Sequence, residues 1–174
     1  MPFTPLHLGP ALAIGLPLRG YIHAPTFIVA NVILDVEPLM VMFSGSSYPL
    51  HGYLHTLLLA AAVGLLLGFA MFKLERHTRP AFNALLLETG NTLSAKSFVL
   101  AGISGAMLHV LLDAPLYADI RPFFPLAANP LLSPSVLGGI WVSALCVWMG
   151  IFGGVFYAAM VVVHAYKRFS ARKH

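Results

Sequence analysis

Histidines and carboxylic acids interrupt the apolar sequence of this chain at short intervals. The candidate metal ligands are His7, Asp35, Glu37, His51, His55, His109 and Asp113, with Asp119 close by. The chain has only six acidic residues, and four of them belong to this set. Ionisable groups within membrane-spanning sequence are costly and mark a functional site by default. Imidazole and carboxylate are ligands of divalent metals, so the set predicts a metal site.

Two pairs have a spacing of four residues, which places both members on one face of a helix. His51 and His55 can bind one metal ion, or can be two interfacial histidines bonded to loops. His109 and Asp113 lie in apolar sequence, where an ionised aspartate requires a cation or a charged partner. The alternative is a His–Asp pair that stabilises helix packing. Pro115 follows and predicts a distorted helix end.

Asp35 and Glu37 are two residues apart and would not face each other on a regular helix. Pro38 cannot donate a hydrogen bond to the carbonyl of Leu34 and predicts a kink, which can turn both carboxylates inward. Two buried carboxylates repel each other, and a divalent cation removes that cost. The alternative is one ligand and one exposed interfacial glutamate.

Three further residues have open assignments. His7 is either a ligand or a structural histidine. Asp119 is a ligand, a partner of Arg121, or a loop cap. Arg121 either binds a phosphate or carboxylate, for which arginine is suited, or forms a salt bridge with Asp119.

The composition predicts an all-α integral membrane protein. The 174 residues are 59% hydrophobic and 9% charged, whereas soluble domains are nearer a quarter charged. We expect one domain over 1–174, a bundle of about five transmembrane helices, and no nucleic-acid partner. The predicted helices are 5–19, which is short or partial, 25–43, 50–74, 96–117 and 138–166. Polar loops are expected over 75–95 and 118–135.

The basic residues predict the orientation. Nine of the ten fall in positions that the positive-inside rule assigns to the cytoplasm, including the loop after the third helix and the tail 167–174. The N-terminus is then outside and the C-terminus inside. All the candidate ligands lie in one layer at the outer face, as does Arg121. His23 and His164 fall at the inner end, away from that layer.

Nitrogen and oxygen ligands without thiolate favour Zn²⁺, with Mn²⁺ and Fe²⁺ as alternatives. The set exceeds what one closed site needs, so we expect one to three ions or an open coordination position. An open position holds water whose pKa the metal lowers. The residues therefore favour a metal-dependent hydrolase.

Four segments resemble the bacterial and archaeal membrane-bound metal-dependent hydrolases, also described as domain of unknown function 457. They are MPFTPLHLGP, LDVEP, HGYLHT and HVLLDAPLYADIRPFFP, within about residues 1–130. Glu37 stands where that family is expected to have a second acidic residue, and the arginine that the family has after His51 is missing here. The family is similar to zinc-dependent phospholipase C and P1 nuclease.

The resemblance implies that His7, Asp35, His51, His55, His109 and Asp113 are metal ligands. It also implies that Glu37 or Asp119 bridges metals or acts as general base, and that Arg121 steadies a phosphate. A phospholipid or other lipid phosphoester in the inner (cell) membrane is then the expected substrate, met at the periplasmic or extracellular face. The alternatives are a metal-ion transporter or channel, and a non-catalytic protein with a structural metal.

Overall fold

The computed structural model describes residues 5–88, 93–133 and 135–171, and in these ranges the regular structure is entirely helical. A 3₁₀ turn at Pro5–His7 leads into α1 (Leu8–Gly15), and α2 (Ala24–Ile33) and α3 (Val36–Ser44) follow. A second 3₁₀ turn at Tyr53–His55 precedes α4 (Leu57–Ala84), α5 (Ala95–Asp113) and α6 (Val136–Ala171). Arg172 and Lys173 of the predicted basic tail lie outside the described residues.

Four stretches of the described chain are long and apolar enough to cross a membrane. They are α2 with α3 (Ala24–Ser44), α4, α5 and α6. The predicted first helix over 5–19 is wrong in extent, because α1 has only eight residues, far fewer than the 20 or so that a membrane crossing requires. Turns occupy 16–20 in its place, where Pro17 cannot donate a helical hydrogen bond.

The predicted interruption of the second helix is present, slightly before Pro38. Leu34 and Asp35 form a turn between α2 and α3, and the N–H of Leu39 bonds to the carbonyl of Asp35 at 3.1 Å. α3 ends at Gly45, whose φ of 60° is a left-handed conformation that favours glycine. The break turns the chain at Asp35, one of the predicted ligands.

The predicted third helix over 50–74 is wrong at both ends. α4 begins only at Leu57, where the hydroxyl of Thr56 caps it by accepting from the N–H of Leu59 at 3.2 Å. It continues to Ala84, so the first ten residues of the segment predicted as a loop over 75–95 are helical. An ion pair between Glu75 and Arg79, one helical turn apart, stabilises this extension.

α5 packs against both α2 and α4, and α1 packs against α6. Small residues make the α4–α5 contact close: a side chain at Gly64 or Gly102 would collide with the backbone of the other helix. α5 ends at Asp113, two residues before Pro115 and four residues earlier than the predicted helix over 96–117. The described residues of the predicted loop over 118–135 are non-helical, as expected. The C-terminal end of α5 therefore meets the break after α2, the start of α4 and the start of α1.

Candidate metal centre

Four buried side chains from three parts of the chain form a first group of potential ligands. They are His7, Asp35, His109 and Asp113, and one ligand atom of each lies within 4.8 Å of those of the others. His7 Nε2 is 3.1 Å from Asp113 Oδ1, and His109 Nε2 is 3.6 Å from Asp35 Oδ1. Ligand bonds to zinc are about 2 Å long, so these separations suit atoms that share one cation.

A second group shares one member with the first. His51, His55 and Asp113 also offer ligand atoms within 4.8 Å of one another. Asp113 Oδ2 is 3.9 Å from His55 Nε2 and 3.3 Å from His109 Nε2, while its Oδ1 faces His7. The two oxygens of Asp113 can therefore bind two ions, one in each group.

Three of the histidines have their Nδ1 atoms anchored by oxygen acceptors. His51 Nδ1 is 3.1 Å from Asp119 Oδ1, and His55 Nδ1 is 2.8 Å from Glu37 Oε2. His109 Nδ1 donates to the backbone carbonyl of Asn31 at 2.8 Å. Such partners orient a metal-binding imidazole and fix its tautomer. Each ring keeps Nε2 as its ligand atom.

Several polar atoms of the first group lack a hydrogen-bond partner although they are buried. They are Asp35 Oδ2, Asp113 Oδ1 and His7 Nδ1. The contact between His7 Nε2 and Asp113 Oδ1 is close enough for an ion pair but not aligned as a hydrogen bond. Asp35 and Asp113 are 3% and 2% exposed, and buried carboxylates with open lone pairs require positive charge. A divalent cation suits this donor set.

His51 and His55 lie close together, but not on one face of a helix as predicted. They lie before α4, His51 in a bend and His55 in the 3₁₀ turn, so the helical explanation of their spacing is wrong. Glu37 holds this segment from outside, because its carboxylate accepts from the N–H groups of Gly52 at 3.0 Å and Leu54 at 3.2 Å. The two rings still come together, with centroids 4.9 Å apart.

Glu37 and Asp119 lie outside both ligand groups among the described residues. The sequence predicted that Glu37 is a ligand, and the family resemblance implied that Glu37 or Asp119 bridges metals or acts as general base. Their contacts are instead with His55 and His51, while Asp113 is the shared carboxylate. The reason is geometric: Glu37 points from the start of α3 to the loop before α4, a long-range contact that spacing does not reveal.

The surroundings of His51 and Asp119 lie outside the membrane-spanning helices. Burial lowers the pKa of His51, although Asp119 opposes that effect. Desolvation works to raise the pKa of Asp119, but hydrogen bonds from the backbone and ring of His51 outweigh it and hold that pKa below its usual value. A neutral imidazole beside a carboxylate is the form that binds metal.

Two cavities border the cluster from different sides. The Arg121 cavity, of about 440 Å³, is lined by His51, Asp119 and Arg121 together with Tyr48, Tyr53 and Phe124. The α6 cavity, of about 880 Å³, reaches His7 and is walled mainly by apolar residues such as Leu116, Ile140 and Val147. The cluster thus borders one cavity that contains charged and aromatic side chains and a larger one that is mainly apolar.

Arg121 is exposed at its cavity and forms no ion pair with any carboxylate of the described residues. The predicted alternative of a salt bridge with Asp119 is therefore wrong, because Asp119 is engaged by His51. Sequence reasoning missed Tyr117, whose ring lies against His51 with centroids 4.2 Å apart. Its position four residues after Asp113 is a signal that could have identified it.

Comparison with known proteins identifies no relative. No protein-family model matches the chain, and no curated protein or solved structure matches it significantly. The resemblance to the membrane-bound metal-dependent hydrolases therefore stays a prediction from the quoted segments.

Proposed function

We propose that this protein is a membrane-embedded, divalent-metal-dependent hydrolase that cleaves a phospholipid or another lipid phosphoester. One observation carries the proposal: two groups of potential ligands share the buried carboxylate of Asp113 and lie between two cavities of different polarity. A closed structural metal site needs about four ligands and no opening through which a substrate reaches the metal. Six potential ligands with access from two sides favour catalysis.

The ligand chemistry favours zinc. Four histidines and two aspartates, without thiolate, suit Zn²⁺, and Mn²⁺ or Fe²⁺ are the alternatives. The sharing of Asp113 favours two ions within the predicted range of one to three. Divalent ions in open sites polarise phosphoryl oxygens and lower the pKa of a coordinated water towards neutrality.

The protein's own residues have separate tasks in this proposal. Glu37 and Asp119 are positioning residues that hold His55 and His51. Arg121 binds the phosphate of the substrate, since its guanidinium has no carboxylate partner among the described residues and faces the cavity that contains His51. A planar guanidinium matches two phosphate oxygens and stabilises charge that develops on them.

The two cavities support an amphiphilic substrate. The α6 cavity offers apolar walls from α6 and from the segment after α5, and it reaches His7. The Arg121 cavity offers a cation and hydrogen-bonding groups, and it reaches His51. A phosphoester that links a hydrocarbon part to a polar head can place each part in a matching cavity, with the ester between them at the cluster.

The orientation remains as the basic residues predict it. Lys73, Arg76 and Arg79 lie in the last three turns of α4, whereas the ligand cluster lies beyond its first residue. The positive-inside rule assigns the basic end to the cytoplasm, which gives the cluster the periplasmic or extracellular face of the cell membrane.

A transport function has less support. Between Asp35 and His23, the buried side chains of α2 are mainly apolar, including Phe27 and Ala30. A core cluster that includes Leu34, Ala60 and Val110 packs beside them. An ion pathway requires polar groups along its length.

The test is hydrolysis by the purified, zinc-loaded full chain. The protein is incubated with mixed phospholipids, with and without chelator, and the products are identified by mass spectrometry. We expect chelator-sensitive release of a phosphate-containing fragment, and loss of this release in His55→Ala and Arg121→Gln. Zinc should remain bound in Arg121→Gln, because this residue is in neither ligand group. Stoichiometric zinc without any product from any phospholipid class would refute the hydrolase and favour a structural metal.

A further inference from the structure

A third cavity lies at the end of the molecule opposite the metal cluster. It is an open recess with a volume of about 560 Å³, lined by the segment after α1, the loop after α4 and the C-terminal part of α6. The hydroxyl of Tyr157 on α6 donates to the carbonyl of Leu85 at 2.9 Å and so ties the loop to α6. This cavity, which we term the basic cavity, shares no lining residue with the other two.

The charges around the basic cavity are unbalanced. The cations Arg19 and Lys167 line it together with His164, and Glu88 is the one acidic residue among the described residues of its lining. The Glu88 carboxylate is already engaged, since Oε1 is 2.7 Å from His23 Nε2 and Oε2 is 3.8 Å from the Nε of Arg79. The acid therefore does not neutralise the cations that face the cavity.

Arg19 is the key member of this set. It is partly buried, its guanidinium contacts the sulfur of Met160, and none of the described carboxylates forms an ion pair with it. Partial burial lowers the pKa of Arg19, which reflects a desolvated cation. A guanidinium with open donors in an apolar wall has the geometry for an anionic ligand.

The remaining lining is apolar. Phe156, Met160 and Val163 of α6 and Leu86 of the loop form walls beside the cations. A ligand that fits must combine an anionic group with hydrocarbon. Basic recesses between membrane-spanning helices bind lipid head groups in this way.

We propose that the basic cavity binds an anionic phospholipid, with its phosphate at Arg19 and Lys167 and its acyl chains along α6. This site is separate from the metal cluster and does not depend on the hydrolase proposal. It makes the C-terminal part of α6 a lipid-binding element.

The test uses the purified full chain in detergent and native mass spectrometry. The probes are phosphatidylglycerol, phosphatidylcholine with the same acyl chains, and inorganic phosphate. We expect phosphatidylglycerol to bind at least about tenfold more tightly than phosphatidylcholine, and Arg19→Gln to weaken its binding by about tenfold, as for the loss of one charge-assisted contact. Lys167 is exposed, so Lys167→Gln repeats the test without a risk to folding.

The matched control is Arg168→Gln, which removes an equal charge from the next residue, outside the cavity lining. It should leave the preference for phosphatidylglycerol unchanged. Equal binding of the two lipids, or an equal loss in Arg168→Gln and Lys167→Gln, would overturn the proposal. Binding of inorganic phosphate with the affinity of phosphatidylglycerol would also overturn it, by assigning the site to free phosphate.

Discussion

Replacement of Glu37 by glutamine tests whether Glu37 orients the metal ligand His55 or is itself a metal ligand. The Glu37 carboxylate lies 2.8 Å from His55 Nδ1 and accepts from the N–H groups of Gly52 and Leu54. Glutamine keeps one acceptor oxygen, presents an amide that donates where the carboxylate accepted, and removes the negative charge beside His55. The variant should therefore bind metal more weakly without losing a binding site.

The expected magnitude follows from this role. Loss of such an orienting partner reduces metal affinity about 10- to 100-fold, which is about 1.4–2.8 kcal/mol. Zinc titration against a competing chromogenic chelator measures both affinity and stoichiometry. At saturating zinc, Glu37→Gln should reach the stoichiometry of the unmodified protein.

The matched control is Glu75→Gln, which removes a carboxylate paired with Arg79 on α4, away from the cluster. Its zinc affinity should equal that of the unmodified protein. Unchanged affinity in Glu37→Gln would refute the orienting role. Loss of one bound ion at saturating zinc would instead make Glu37 a direct ligand.

Three further outcomes are expected. Gly102→Leu should lower the free energy of unfolding by about 1–3 kcal/mol, because the new side chain meets the backbone of Gly64. Gly154 faces open space, so Gly154→Leu should change the free energy of unfolding little. Chemical unfolding measures both variants. Burial lowers the pKa of His23 despite Glu88, so the unfolded chain takes up the proton first, and stability should fall as the pH drops below about 6.5. Thermal melts between pH 5 and 8 would show this fall in stability, and the fall should be smaller in His23→Gln. An equal fall in His23→Gln would show that other groups cause it. Chelator should lower the melting temperature of the zinc-loaded protein by several degrees, since zinc at 100 times its dissociation constant stabilises the folded state by about 2.7 kcal/mol. An unchanged melting temperature would argue against a bound ion.

Much of the ligand set was predictable because it depends on local sequence. Asp35 and Asp113 have few polar neighbours in the sequence. The cost of burying their charges must therefore be offset by other ionisable residues. Counting positions along apolar helices places them at the same level as His7 and His109, and the structure brings all four together.

The parts that were not predictable depend on long-range contacts. The spacing of His51 and His55 fits a helix, but Glu37 and Thr56 keep that segment outside α4. The charged residues around Glu75 suggest a loop, yet the ion pair with Arg79 continues the helix. The spacing of residues in the sequence indicates local periodicity, but it does not predict these long-range contacts.

Metal stoichiometry of the purified full chain tests the central claim most directly. Elemental analysis should find about two zinc ions per chain in the unmodified protein, because Asp113 contacts both ligand groups. Asp113→Asn should lose both ions or fall to substoichiometric binding, while Asp119→Asn should keep both sites at saturating zinc. Zinc retained at full stoichiometry in Asp113→Asn, or its absence from the unmodified protein, would contradict a metal centre built on this carboxylate.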